Sequence, residues 1–132
     1  MMSRLTILLV VALVVLALSA CGPTAPKQLN LSEKDAGRTV QLSVGGTLEV
    51  VLEGNPTTGY LWEAAAGDTA IIKQVGEAQF KPDTSAIGSP GKVTLRFTGV
   101  AAGQTALKLI YHRPFEKNVP PVKTFEVTVV VK

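Results

Sequence analysis

Lys92-Val93-Thr94-Leu95-Arg96-Phe97-Thr98 alternates polar and apolar side chains residue by residue. A period of two puts Val93, Leu95 and Phe97 on one face of an extended strand, whereas a helix would repeat its apolar stripe every three or four residues. The same beat runs on both sides of this stretch. Upstream, Leu48, Val50 and Leu52 alternate with Thr47, Glu49, Val51 and Glu53. Downstream, Leu107, Leu109 and Tyr111 form one apolar set, and Phe125, Val127, Val129 and Val131 form another. Shorter candidates cover 39–43, 60–64 and 71–80. Glycine- and proline-rich breaks separate them: Gly45-Gly46, Gly54-Asn55-Pro56, Gly67-Asp68, 88–91, Ala102-Gly103 and Pro120-Pro121. About seven or eight short strands punctuated this way predict an all-β sandwich. Trp62, the sole tryptophan, is expected on a central strand, filling the space between the sheets. The one helical piece expected is a turn near Ser32–Gly37, with Ser32 capping its start.

The front of the chain reads differently. After Arg4, nearly every residue from Leu5 to Ala20 is apolar. As a helix these residues would reach about 24 Å, short of the roughly 30 Å hydrocarbon core, which describes a secretory signal rather than a permanent span. The single cysteine, Cys21, follows directly in Leu18-Ser19-Ala20-Cys21. One cysteine makes no internal disulfide, and these four residues resemble the lipobox of bacterial lipoproteins, in which the thiol accepts the lipid. A cut after Ala20 that leaves a free thiol is the alternative. The resulting division is a signal over 1–20, a lipidated Cys21 with a tether to 29, and a folded domain over 30–132. It implies a bacterial cell envelope, with the protein held to a membrane through Cys21 on a periplasmic or outer-membrane face.

Charge narrows the partners. Thirteen basic residues against ten acidic ones give a net +3 over 132 residues. That balance, scattered along the chain, argues for no nucleic-acid partner. An acylated Cys21 leaves no thiol nucleophile, no His/Cys/Asp/Glu spacing marks a metal site, and no cofactor motif is present. The lone histidine, His112, has no carboxylate placed for it by sequence spacing and reads as an exposed strand-end residue. No enzyme is expected.

Three connecting segments carry more information than a plain turn needs. In Asn55-Pro56-Thr57-Thr58-Gly59-Tyr60, Pro56 fixes its own φ, Gly59 permits a positive one, and Asn55 is able to bond its own backbone in an Asx turn. Two hydroxyls sit at the tip. Alone, the segment also reads as an ordinary turn. In His112-Arg113-Pro114-Phe115-Glu116, Pro114 stiffens an arginine and an aromatic of the kind found in binding hot spots. Phe115 could equally fold back over the sandwich. In Ile87-Gly88-Ser89-Pro90-Gly91-Lys92, Gly91-Lys92 hints at a phosphate loop. The Walker pattern fails there, because Ala86 and Val93 stand where Gly and Ser or Thr are needed and a strand follows instead of a helix.

Together these loops resemble those of the chagasin family, inhibitors of papain-like cysteine proteases. Asn55 to Tyr60 match the family's NPTTGY/F motif in full. Tyr111-x-Arg113-Pro114-Phe115 matches YxRPW/F, and Gly88-Ser89-Pro90-Gly91 matches GxGG in part, with Pro90 at a glycine position. The likeness spans roughly 30–132. It implies an immunoglobulin-like antiparallel β-sandwich, monomeric, acting as a reversible tight-binding inhibitor. Asn55, Pro56, Thr57, Thr58, Gly59 and Tyr60 would enter the protease cleft, with Thr57 nearest the catalytic cysteine and histidine. Arg113, Pro114 and Phe115 would flank one side, and Gly88, Ser89, Pro90 and Gly91 the other. A non-inhibitory envelope module that uses the same sandwich for binding or assembly is the competing reading.

Overall fold

The computed structural model describes residues 24–132. The expected signal, Cys21 and the first tether residues lie outside the described residues. Nine strands follow in order: β1 (Gln28–Ser32), β2 (Thr39–Leu42), β3 (Thr47–Gly54), β4 (Leu61–Ala66), β5 (Ile72–Gln74), β6 (Gln79–Pro82), β7 (Gly91–Gly99), β8 (Gly103–His112) and β9 (Lys123–Val131). They form two facing sheets. In the first, β1, β3 and β7 lie side by side, and both β5 and β6 pair with the far edge of β7. The second has the order β2-β9-β8-β4.

The alternating stretches supply the core. Val93, Leu95 and Phe97 of β7 face Leu48, Val50 and Leu52 of β3 within the first sheet. Leu107 and Leu109 of β8 line up with Val127 and Phe125 of β9 in the second, with Tyr111 buried one step further along β8. The outward partners are polar. Glu49 and Arg96, opposite each other in the β3–β7 register, form an ion pair at 3.0 Å, and Glu53 and Lys92 another at 2.9 Å. Exposed pairs of this kind contribute little to stability but fix the register.

Four features differ from the sequence-based picture. The sheets are mixed rather than antiparallel throughout, because β1 joins β3 and β2 joins β9 in parallel. Among the described residues there are nine strands. β1 alternates over only five residues, Leu29 half-buried and Leu31 buried between exposed polar neighbours, and Gly76, at a φ of 70°, splits the 71–80 candidate into β5 and β6. Trp62 lies on the edge strand β4, not a central one, yet it is buried and spans the sheets, its indole N–H donating to the Glu53 carbonyl at 2.9 Å. Finally, the chain joins the body before residue 30. Ala25 is buried, the Pro26 carbonyl accepts from Ser43 N–H at 2.8 Å, and the Lys27 carbonyl accepts from Thr47 N–H at 2.9 Å.

The turn after Ser32 is present as a single 3₁₀ turn, Glu33–Asp35. The cap works from its far side: the Asp35 carboxylate accepts the Ser32 N–H at 2.8 Å and pairs with Arg38.

Candidate functional site

The β3–β4, β6–β7 and β8–β9 connections leave the sandwich at one pole, because β3 and β8 end there and β7 begins there. The first is built around one side chain. Asn55 is extended (φ −146°), its Oδ1 accepts from Thr57 N–H at 3.2 Å and from the Thr57 hydroxyl, and Pro56–Thr58 close a 3₁₀ turn. The expected Asx turn is therefore formed. Two backbone carbonyls of this loop are also occupied. That of Asn55 accepts from Thr58 N–H and Oγ1, and that of Pro56 from Gly59 N–H at 3.1 Å. Gly59 ends the turn at a φ of 83°, and a β-carbon there would stand 3.1 Å from the Phe115 ring.

Asn55 also ties the loop to both neighbours. Its backbone N–H donates to the Tyr111 hydroxyl at 2.9 Å, and its side-chain amide donates to the Gly88 carbonyl at 3.1 Å. Arg113 closes the circuit from the third loop. Its Nε donates to the Thr58 carbonyl at 3.0 Å, its guanidinium lies 4.3 Å over the Tyr60 ring, and Glu116 holds it at 2.9 Å. Hydrogen bonding to the Glu116 carboxylate, opposed in part by desolvation, raises the pKa of Arg113 and keeps its charge fixed. Beneath, Tyr60, Tyr111 and Trp62 stack in series, with ring centroids 5.4 and 5.1 Å apart.

The sequence-expected residues divide by exposure. Pro56, Thr57, Thr58, Pro90, Pro114 and Phe115 face solvent, and Phe115 stands 71% exposed instead of folding back over the core. Asn55, Gly59, Tyr60 and Arg113 are half-buried struts. Ser89 is buried, its hydroxyl donating to the Pro90 carbonyl and accepting from Thr84 N–H. Gly91 is buried inside β7, where a β-carbon would sit 2.1 Å from the Lys81 carbonyl oxygen. These two shape the second loop from within, and Gly88 fastens it to Asn55. Sequence reasoning passed over Ile87, fully exposed at the tip of that loop, although an isolated aliphatic among Ser, Gly and Pro was a signal. It also missed Glu116, and it missed the partner of His112: Glu63 on β4, at 2.7 Å, which becomes a neighbour only through the β4–β8 register.

A rigid sandwich carrying a small, polar-tipped, self-bonded projection with apolar residues on either flank belongs to the class of modules that fill a partner's cleft. The family model described as chagasin family peptidase inhibitor I42 matches residues 41–129, and the chain belongs to that family. It is 32% identical to amoebiasin-1 of Entamoeba histolytica over 92 residues, 68% of this chain and 87% of that protein. Among solved structures, it resembles a cysteine protease inhibitor of Entamoeba histolytica, with a TM-score of 0.70 and 27% identity, covering 80% of this chain and 96% of that one. It also resembles the inhibitor PbICP-C, solved in complex with falcipain-2 (TM-score 0.51, 26% identity, 84% and 96% covered).

Proposed function

We propose that this protein inhibits papain-like cysteine proteases by seating the Asn55–Tyr60 loop in the active-site cleft, Thr57 foremost, with Phe115 and Arg113 on one flank and Gly88–Pro90 on the other. Support comes from the cross-bonding of the three loops through Asn55 and Arg113. A protease of this kind cleaves an extended peptide whose carbonyl lies about 3–3.5 Å from the nucleophile. The Pro56–Thr58 turn is tight, and the carbonyls of Asn55, Pro56 and Thr58 are already engaged. Such a turn departs from the extended backbone that cleavage needs. Because it is ordered beforehand, little conformational entropy is lost on docking, and a contact of about 800 Å² per partner suffices for tight, reversible binding.

Titration of papain and a cathepsin with residues 24–132 tests this. Inhibition at nanomolar to low micromolar concentration is expected. Thr57→Asp and Phe115→Asp should each weaken it by about 2 kcal/mol or more, in the range of hot-spot losses. Absence of inhibition across several such enzymes overturns the reading.

The finer reading is a monomeric lipoprotein of a bacterial cell envelope, cut before Cys21 and anchored through its acylated sulfur. It rests on Leu18-Ser19-Ala20-Cys21 and the apolar stretch before it. Incorporation of labelled palmitate into the natural chain, lost in Cys21→Ser, is its test.

A further inference from the structure

The pole away from Thr57 has its own surface. The Ser43–Gly46 turn and the turn between β7 and β8 interlock there, with Gly45 N–H donating to the Gly99 carbonyl at 2.8 Å and Gly99 N–H to the Gly46 carbonyl at 3.0 Å. Val44 N–H donates to the Lys132 carbonyl at 2.9 Å, and Thr47 N–H to that of Lys27 at 2.9 Å. This pole thus carries Val44 and Val100, 50% and 45% exposed, with the exposed Ala101 and Ala102, and the backbones of the exposed Lys27 and Lys132 are bonded into it. Asp68, in the neighbouring β4–β5 connection, has its carboxylate engaged by Ala70 N–H at 2.9 Å. Exposed valines and alanines beside two lysines, at the end of a sandwich, fit an anionic lipid surface.

Chain length gives the second argument, and it rests on the acylation of Cys21 proposed above. Ala25 is buried, and its carbonyl accepts from the Ser43 hydroxyl. Only four Cα steps therefore separate an acylated Cys21 from the body, at most about 14 Å of extended chain. A headgroup layer about 5–7 Å deep takes up much of that reach. What remains, roughly 7–9 Å, keeps the valine–lysine pole within reach of the headgroups.

We propose that this pole is a docking surface for an anionic phospholipid bilayer, with Val44 and Val100 at the interface and Lys27 and Lys132 against lipid phosphates. β3 runs from Thr47 at this pole to Gly54 at the other, a span of about 23 Å at 3.3 Å per residue. The protease-binding loops consequently face water, and the targets they reach are proteases dissolved there.

The test uses the acylated full chain in vesicles of phosphatidylcholine and phosphatidylglycerol, with a polarity-sensitive fluorophore on Val44→Cys, Val100→Cys or Ile87→Cys. The expected result is that the chain floats with the vesicles, that nitroxide-bearing lipid quenches labels 44 and 100, and that label 87 responds only to aqueous iodide. Reversing both lysines (Lys27→Glu with Lys132→Glu) should lower the lipid quenching at 44 about tenfold. A chain that floats with labels 44 and 87 equally quenched overturns the docking surface and leaves the anchor standing. Energy transfer between labels at 44 on separate chains, without lipid quenching, overturns it in favour of a contact between copies. Failure to float overturns anchor and docking together.

Discussion

Asn55 makes more of the site than any other residue. Its amide has two ends with separate duties: Oδ1 holds the Thr57 end of the turn, and Nδ2 holds the second loop through the Gly88 carbonyl. Substitution by aspartate separates them. A carboxylate still accepts from Thr57 but turns an acceptor toward the Gly88 carbonyl, where a donor stood. Asn55→Asp should therefore keep the turn and release the flank, weakening protease inhibition by about tenfold, on the scale of one lost hydrogen bond and an unpaired acceptor. Asn55→Ala loses both ends and should weaken it further, by about a hundredfold. Inhibition constants for the two variants against one protease check the order. Equal losses would mean that the Gly88 bond plays no part.

Among the elements, β6 and the turn between β1 and β2 each lend themselves to a single test. β6 lies so close to the start of β7 that only glycine fits at position 91. Gly91→Ala must push Lys81 and Pro82 outward, with an expected cost of about 1–3 kcal/mol, the usual range for overpacking. It should also loosen the 83–90 loop, and with it the Gly88 bond to Asn55, and weaken inhibition; paired melting and inhibition measurements decide. In the 3₁₀ turn, the Asp35 carboxyl is held below the ordinary aspartate range, chiefly by the Ser32 backbone N–H, which outweighs desolvation, with Arg38 adding to the lowering. A carboxyl of lowered pKa binds fewer protons folded than unfolded. Its stabilisation is complete above the unfolded value of about 3.9 and disappears as pH falls through the lower folded value. Asp35→Ala should thus lose about 1 kcal/mol at pH 7, as for a lost cap, and the gap from the unsubstituted protein should narrow below pH 4 in melts followed across pH. How much of this was legible depended on the element. β7 and β9 alternate over nine residues because each has one buried face, whereas β1 alternates over only five, Leu29 and Leu31 among polar residues, too briefly to stand out from the tether before it. The loop motifs could be read directly. Their interlock could not, since its bonds join residues 33 to 56 positions apart.

At the scale of the whole molecule, the site and the core are mechanically joined but energetically separable. β3, β7 and β8 each span the distance between the lysine pole and the loop pole, and the stacked Tyr60, Tyr111 and Trp62 carry the core up to the loops. Loss of the sandwich must therefore abolish the site in the same transition. A partial weakening of the core, however, leaves the folded population with the same loop bonds, because those bonds are made among loop residues and the end of β8. Leu95 is fully buried mid-way along β7, opposite Val50. Leu95→Ala should cost about 2–5 kcal/mol and lower the melting temperature by roughly 10 °C or more. At 25 °C its inhibition constant should stay within about a factor of two of the unsubstituted protein, provided the domain remains folded. Asn55→Asp should do the opposite, altering the inhibition constant far more than the melting temperature. Trp62, as the sole tryptophan and a bridge between the sheets, reports the unfolding by its fluorescence. If inhibition by Leu95→Ala weakened in step with its stability while Trp62 still reported a folded core, the loops would be borrowing their rigidity from the packing below rather than from one another, and the pre-formed plug would have to be abandoned.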